Sequence, residues 1–402
     1  MKTTVLLLLL LLSASMSRGQ DVNAGHKDDM EVDLPTMYDK VDDAISQAER
    51  YITDYSSKLL DIRRRAEDCS DPGQRLMLTM QLSDMYESFN GDSSLVYALR
   101  AMQQAEQLGY TDTAADMRAR MAYLCTFLGS QTESLTILGQ IDKSALSHDG
   151  LCCYYRSYMM VYGNLGGNCQ IPSMRDEFYR LHHLYMDSLL TTATPGSEMY
   201  LGNIQPQLVE AGKYEEALKV NDERMNTTQE GTHENAIICY SRYTVYKAMG
   251  NDMMAKYWLC RSALDDIRNA VLDQASLLAL ADMLNVEGDL ERANRYIIFT
   301  WECNRRYSPR MRSWQIAPLL SAIEGNFQSK LDRKSRFLTL TSVCLGVLAF
   351  LFIACAFYFS RRLKAMAKAN TALEDENKKL VGTNDILRAL QQRAAIDAGS
   401  AH

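Results

Sequence analysis

Histidine and cysteine are the residue types of this sequence that could support chemistry at close spacing. His182 and His183 are adjacent, and His148 stands in a predicted turn shortly before Cys152 and Cys153. Such residues act as metal ligands, or as the nucleophile and base of a thiol protease. Neighbouring residues on a helix point about 100° apart, so the two adjacent histidines do not readily hold one metal ion. Without a partner base, the His148 segment is not a protease signature either.

The cysteines are irregularly spaced, and no Cys-x-x-Cys pair occurs, which argues against zinc and thioredoxin-like chemistry. A disulfide of Cys169 with Cys152 or Cys153 is one interpretation, and burial as free thiols is the other. The sequence also contains no Walker loop, GxSxG, HExxH or kinase-like HRD motif. We therefore predict that the protein is not an enzyme and has no catalytic residue, no cofactor and no metal ligand.

Composition favours a large, all-helical core. The 402 residues are 47% hydrophobic and include only 7 prolines, so few positions would break a helix. The formal net charge is −7 at pH 7, whereas a nucleic-acid surface needs clustered Lys and Arg on one face. We predict that the protein contacts no nucleic acid directly.

Two apolar segments indicate how the chain meets a membrane. Residues 1–19 combine a cation, an apolar run and small polar residues, which is the layout of a secretory signal peptide. Residues 337–360 are 24 uncharged residues, and at about 1.5 Å each they can cross a hydrocarbon core of roughly 30 Å. We predict a single-pass protein of the bacterial inner membrane, with a periplasmic N-terminal domain and a cytoplasmic C-terminus.

Glycines recur every 38 residues in the segment between these two. They form two sets, Gly91, Gly129 and Gly167, then Gly212, Gly250 and Gly288. An alanine stands five positions after each glycine of the second set, at Ala217, Ala255 and Ala293. A helix ending at glycine, a tight turn and a second helix carrying a small contact residue make a helical hairpin. Each hairpin has apolar faces that only a neighbour can cover, so the hairpins must stack.

These residues resemble the tetratricopeptide repeat (TPR), which has an aromatic residue two positions after the turn glycine and an alanine three positions later. Gly212, Tyr214 and Ala217 match this pattern. The period exceeds the usual ~34 residues, which longer helices would explain. The resemblance implies an all-α fold, a TPR-like α-solenoid followed by one transmembrane helix and a coiled-coil tail. Gly167 and Gly212 are 45 residues apart, and we expect the loop at 191–198 to break the solenoid into two stacks.

The other segments complete the predicted organisation. Residues 38–67 have the pattern of one long, charged amphipathic helix, which we interpret as an N-terminal cap. The predicted segments are a signal peptide at 1–19, a polar and disordered stretch at 20–36, the capping helix at 37–75, an exported TPR-like domain at 76–336, the transmembrane helix at 337–360 and a cytosolic coiled-coil tail at 361–402.

The tail has a heptad pattern. Met366, Leu373, Leu380 and Leu387 are seven residues apart, with asparagines at the alternate seam positions. Buried asparagine favours dimers and fixes their register at a cost in stability, so the pattern predicts a weak parallel homodimer. A single solvated helix is the alternative.

Tyrosines are the candidate partner-binding residues. Tyr154, Tyr158 and Tyr162 share one helical face at i, i+4 and i+8, and Tyr243 and Tyr246 lie in a later repeat. Helical-repeat proteins hold peptides on a concave face, and tyrosine combines apolar area with a hydroxyl. Packing between repeats is the alternative interpretation of the same stripes.

Over residues 35–390 the chain resembles an uncharacterised family of TPR membrane proteins of Gram-negative gut and oral bacteria. The resemblance rests on YDKVDDAISQAERYI at 38–52, YALRAMQQAEQLG at 97–109, ALDDIRNAV at 263–271 and VEGDLERANRYI at 286–297. Some members carry regulator-like descriptions, which implies a signalling or transcriptional role. Members often continue past the coiled coil, whereas this sequence has a short C-terminus.

Two functions follow as expectations. In the first, the exported solenoid binds a protein or peptide ligand, and the membrane helix and dimeric tail pass that state inward. In the second, the solenoid is a passive envelope scaffold, and the membrane helix only anchors it in lipid. A continuous helix from the last repeat into the tail favours the first, whereas a flexible break near Ser335 favours the second.

Overall fold

The computed structural model describes residues 32–308 and 313–399, and in this part the chain forms fifteen α-helices and no strand. The helices are α1 (Leu34–Ser46), α2 (Ala48–Asp68), α3 (Pro72–Tyr86), α4 (Gly91–Leu108), α5 (Thr111–Phe127), α6 (Gln131–Leu138), α7 (His148–Asn168), α8 (Pro172–Thr192), α9 (Glu198–Glu210), α10 (Tyr214–Thr227), α11 (His233–Ala248), α12 (Asp252–Arg268), α13 (Ala275–Glu287), α14 (Leu290–Tyr307) and α15 (Ser313–Gly399). The predicted all-α fold is confirmed. The predicted signal peptide lies outside the described residues.

Helices α3 to α14 form six hairpins, each made of two consecutive helices in contact: α3 with α4, α5 with α6, α7 with α8, α9 with α10, α11 with α12, and α13 with α14. Each of the six periodic glycines lies at or next to the junction between the two helices of one hairpin. One period of the sequence is therefore one hairpin, as expected of a TPR-like repeat.

The local chemistry of the hairpin turn is clearest at Gly288. This glycine ends α13 in the left-handed region with φ of 92°, and its amide donates to the Leu284 carbonyl at 3.0 Å. A residue with a side chain would be strained there by about 1–2 kcal/mol. Five positions later Ala293 is fully buried, as are Ala217 and Ala255 in the two preceding hairpins. The small alanine side chain lets the two helices of each hairpin approach closely.

The longer spacing between Gly167 and Gly212 has a different origin from the one predicted. Helix α8, which lies between the two glycines, is 21 residues long, whereas the connection from Thr192 to Glu198 is a short loop. The described residues up to Phe327 belong to one compact unit, so this loop does not divide the solenoid into two stacks. The extra residues lengthen a hairpin instead.

The N-terminal segment differs from the predicted cap in two ways. A turn at Gln47 separates α1 from α2, so residues 38–67 form two helices rather than one. Helix α1 begins at Leu34, which makes the last residues of the predicted disordered stretch 20–36 helical, while residues 20–31 lie outside the described part. Met37, Tyr38 and Val41 are buried with α12 residues, so α1 covers a late repeat, and α2 packs on α3.

The two compact units are Met1–Phe327 and Gln328–His402. In the first, Ile316 and Ile323 of α15 are buried in the largest apolar core. In the second, the helix is exposed from Gln328 to Ala394, and the heptad residues Leu373 and Leu380 are 58% and 61% exposed. The stretch Ile316–Ala394 contains an apolar window long enough to cross a membrane.

Candidate functional site

Several hydrogen bonds join the first repeat to the late repeats within the repeat unit. The amide of Leu272 donates to the Ser88 carbonyl at 2.8 Å, and the Tyr307 hydroxyl donates to the Glu87 carbonyl at 2.9 Å. An apolar cluster that includes Leu128, Leu272 and Tyr307 fills the contact. The solenoid therefore closes on itself, because its late helices α12 to α14 return to the end of α3.

Charged groups reinforce this closure at α1. The Arg292 guanidinium lies 3.0 Å from an Asp39 carboxylate oxygen and 3.2 Å from one of Asp42, and it also covers the Tyr38 ring at 5.2 Å. Arg295 adds a second contact to Asp42 at 3.1 Å. Helix α1 is thus held to α14 by arginines that are shared between several partners, a geometry stronger than isolated surface pairs.

Gly91 shows how tightly the first hairpin meets the last. A Cβ atom at this position would lie 2.5 Å from Leu128 Cδ2 and 3.1 Å from the Tyr307 hydroxyl oxygen. Gly91 begins α4 and its φ is not in the left-handed region, so the absence of a side chain serves contact rather than backbone conformation. This repeat glycine is favoured because Leu128, which follows α5, and Tyr307 of α14 both approach it closely.

The closure leaves a cavity of about 240 Å³, partly open to solvent, between helices α5 and α7 on one side and α11, α12 and the start of α13 on the other. Its aromatic and charged lining residues are Glu87, Tyr123, Phe127, Arg156, His233, Tyr240, Asp266 and Asp273. Ala236, Ile237, Val271 and Ala275 add apolar surface. The lining therefore combines flat rings, aliphatic groups and a few charges, as in small-ligand sites.

Arg156 is the cation of this cavity. Its guanidinium carbon lies 4.7 Å from the centroid of the Tyr123 ring, in a cation–π arrangement. The Tyr123 hydroxyl donates to Glu87 at 3.2 Å, and the other Glu87 oxygen pairs with Arg120 at 2.8 Å. Within the described part of the chain, no carboxylate forms an ion pair with Arg156. Its positive charge is therefore available to the cavity.

A histidine–aspartate pair stands opposite. His233 Nδ1 lies 2.8 Å from Asp266 Oδ1, at the adjoining ends of α11 and α12. Burial disfavours the imidazolium, but the hydrogen bond and charge of Asp266 outweigh it and raise the pKa of His233. Burial also raises the pKa of Asp266 to about 6, although His233 opposes the shift. The pair thus holds protons more tightly than its members would in water.

The predicted partner-binding tyrosines of α7 form a stack with Tyr185 of α8. The rings of Tyr158 and Tyr185 are 4.4 Å apart at 8°, and those of Tyr162 and Tyr185 are 5.7 Å apart at 9°. Tyr154 packs edge-on against Tyr158 and is buried. Much of this stripe therefore holds the α7–α8 hairpin together.

The other two predicted tyrosines lie on α11, where Tyr246 is buried and Tyr243 is partly exposed. Buried rings cannot meet a partner unless the repeats open. A partner-binding role therefore stays a prediction for the partly exposed members, which are Tyr158, Tyr162 and Tyr243.

The cysteines and histidines that the sequence suggested for chemistry do not lie together in one site. Cys153 and Cys169 lie at opposite ends of α7, which separates them by roughly 25 Å at 1.5 Å per residue, so the considered disulfide cannot form. Both are free thiols. His182 Nδ1 lies 2.9 Å from the Met159 carbonyl, a contact between α7 and α8. No group of three metal-binding side chains occurs among the residues that the structure describes.

The cavity residues Tyr123, Arg156, His233 and Asp266 did not emerge from sequence patterns. Arg156 stands inside the tyrosine stripe of α7, and an arginine in such a stretch was the available signal. The residues that Arg156 faces are set by contacts between distant repeats. No local sequence pattern encodes those contacts.

Comparison with known families gives one match. The family model described as the SusR N-terminal TPR domain matches residues 45–318, which includes all six hairpins. No curated protein is similar to this chain at a significant level.

Proposed function

Because the chain belongs to the family of the SusR N-terminal TPR domain, we propose that it is a membrane-anchored protein-interaction module whose repeat domain senses a ligand and passes its state to the tail. The observation that carries this proposal is a combination in one chain: six hairpins form a solenoid that closes on itself, and a long apolar helix follows them. Repeat domains bind proteins and peptides through extended surfaces, and closure gives this one a defined state that a ligand could stabilise or open.

The partner is a protein or peptide held by the repeat domain. Tyr158, Tyr162 and Tyr243 supply partly exposed aromatic surface for it, and aromatic residues dominate the energetics of most interfaces. Tyr158 and Tyr162 are also held flat by the α7–α8 stack, so they would lose little conformational entropy on binding.

The repeat domain is exported and the tail is cytosolic in this proposal. A signal peptide at 1–19 would commit the repeat domain to the periplasm, and residues 337–360 would stop transfer in the inner membrane. Residues 361–402 would then form a dimeric coiled coil inside the cell, with Met366, Leu373, Leu380 and Leu387 as the seam. The membrane concentrates the chains and favours a weak dimer.

Sensing is favoured over passive anchoring by the secondary structure around Ser335. This residue lies inside α15, which continues without a coil residue from Ser313 to Gly399. A flexible linker would have isolated the tail from events in the repeats. The alternative is a scaffold that gathers envelope proteins and uses the helix as an anchor only.

A pull-down from detergent-solubilised membranes tests the proposal, with the full chain compared with a form lacking residues 361–402. An envelope partner retained by both forms, together with a cytosolic partner lost on truncation, is the expected result. Envelope partners that are unchanged by truncation, with no cytosolic partner, would leave only the scaffold. In the same pull-down, Tyr158→Ala should weaken capture of the envelope partner. Tyr110→Ala is the matched control, because Tyr110 is an exposed tyrosine elsewhere in the repeat domain.

A further inference from the structure

We propose that this partly open cavity binds a small organic carboxylate, with the carboxylate on Arg156 and an apolar or aromatic body against Phe127, Ile237 and Tyr240. This is a small-molecule site and goes beyond the proposed capture of a protein partner. It would place a ligand between the early and late repeats, at the point where the solenoid closes.

The charge distribution selects an anion. The carboxylates of the cavity already have partners. Glu87 is paired with Arg120 and Asp266 with His233, and Asp273 also takes part in an interaction. Arg156 has the face of Tyr123, while Glu87 and Glu198 favour its charge from beyond ion-pair distance. A bound carboxylate would give this guanidinium a direct partner through two charge-assisted hydrogen bonds.

The shape and the remaining lining select the body of the ligand. A cavity of roughly 150 Å³ is enough for benzene, so the present cavity of about 240 Å³ accommodates a ring with a carboxylate. Phe127 and Tyr240 present aromatic surface, and Ile237 presents aliphatic surface. These groups favour a compact, partly apolar acid over an extended polymer or a multiply charged phosphate.

Binding would stabilise the closed state. Arg156 and Tyr123 belong to the early hairpins, whereas Ile237 and Tyr240 belong to α11. A ligand that contacts both sets binds the closed arrangement more tightly than an open one, and so shifts the population towards closure. The cavity would thereby couple a metabolite to the conformation that a protein partner meets.

Calorimetric titration of the full chain in detergent micelles tests the proposal, with benzoate as probe and benzyl alcohol as its neutral analogue. We expect benzoate to bind and benzyl alcohol to bind at least about tenfold more weakly, because only benzoate can pair with Arg156. Arg156→Gln should abolish the difference between the two probes. Arg118→Gln is the control, since Arg118 pairs with Glu106 and does not line the cavity.

Ala275→Leu provides a second variant that keeps every charge. Ala275 lines the cavity, so a larger side chain should exclude benzoate without removing Arg156. Loss of binding in both variants, with retained helix content, supports the site. Failure of benzoate to bind, equal binding of benzyl alcohol, or unchanged binding by Arg156→Gln would overturn it. None of these results bears on the partner pull-down, so the two proposals can fail separately.

Discussion

Tyr307 donates a hydrogen bond to the backbone carbonyl of Glu87, which lies 220 residues earlier in the chain. This contact joins the last helix of the repeat series to the end of α3. It also places Glu87, whose side chain accepts a hydrogen bond from Tyr123, at the wall of the cavity. Closure of the solenoid and formation of the cavity are therefore parts of one structural arrangement.

Tyr307→Phe tests the energetic weight of this contact. The ring still packs in its apolar cluster, but the Glu87 carbonyl loses its donor. We expect a loss of about 1 kcal/mol in the free energy of unfolding. Thermal or denaturant unfolding of the detergent-solubilised chain measures it, with Tyr110→Phe as the exposed control. An equal effect of the two substitutions would show that the Tyr307 hydroxyl does not stabilise closure.

Gly91→Ala tests the close approach of α14 to the first hairpin. The added methyl group would meet Leu128 and Tyr307, and overpacking of this kind costs about 1–3 kcal/mol. Gly167 is a matched control because it is a helical repeat glycine with open space at its Cβ position. Gly167→Ala should be neutral or stabilising by up to about 1 kcal/mol. The account of Gly91 fails if both variants have the same unfolding midpoint.

The His233–Asp266 pair predicts that stability falls as pH rises from about 4 to above 6.5. The pKa of Asp266 rises from 3.8 to about 6 on folding, so the folded chain keeps a proton that the unfolded chain has released. The pKa of His233 is raised above 6.5, so its contribution is complete below that pH and is lost as pH rises through the folded value. In both cases the folded state binds more protons, which gives stability a negative slope with pH.

Asp266→Asn should flatten this pH dependence. The amide does not titrate, and His233 loses the charge that raises its pKa. Unfolding midpoints measured across this pH range provide the comparison. His233→Gln should act differently, because His233 lowers the pKa of Asp266 and its loss should move the remaining slope to higher pH. A pH slope that persists unchanged in both variants would assign it to other groups.

Arg156→Met should remove ligand binding without a comparable loss of stability. Arg156 has no carboxylate at ion-pair distance in the described part of the chain, although Tyr123, Glu87 and Glu198 favour its charge. Its removal therefore relieves a desolvation cost and loses a cation–π contact of roughly 1 kcal/mol. The unfolding midpoint without ligand should change little. Stabilisation by benzoate should disappear. A large drop in the midpoint of the unliganded variant would mean that Arg156 is a structural residue.

The hairpins were predictable because their determinants are local. Gly288 provides the left-handed turn, and Ala293, five positions later, provides the small contact residue. Both requirements appear in the sequence as a fixed spacing between a glycine and an alanine. The turn at Gln47 was not predictable, since the amphipathic pattern of 38–67 continues through it. Its position reflects packing, because α1 meets α12 whereas α2 meets α3.

The cavity could not be predicted for a related reason. Tyr123 and Arg156 lie in one half of the repeat series, and His233 and Asp266 lie in the other. They share a cavity because the solenoid closes, and closure depends on contacts such as that of Leu272 with Ser88. The tyrosine stripe of α7 was visible in the sequence, but its pairing with Tyr185 required the positions of both helices.

The most direct test of the proposed sensing is cysteine cross-linking of the tail in membranes, with and without the captured envelope partner. Leu380→Cys would report on the seam, in a background where Cys344 and Cys355 are replaced by Ala, and the same protein with three glycines inserted after Ser335 would serve as the uncoupled form. We predict that the partner changes the cross-linking yield in the first form and not in the second. A cross-linking yield that does not change with the partner in either form would contradict sensing and leave the protein as an anchored scaffold.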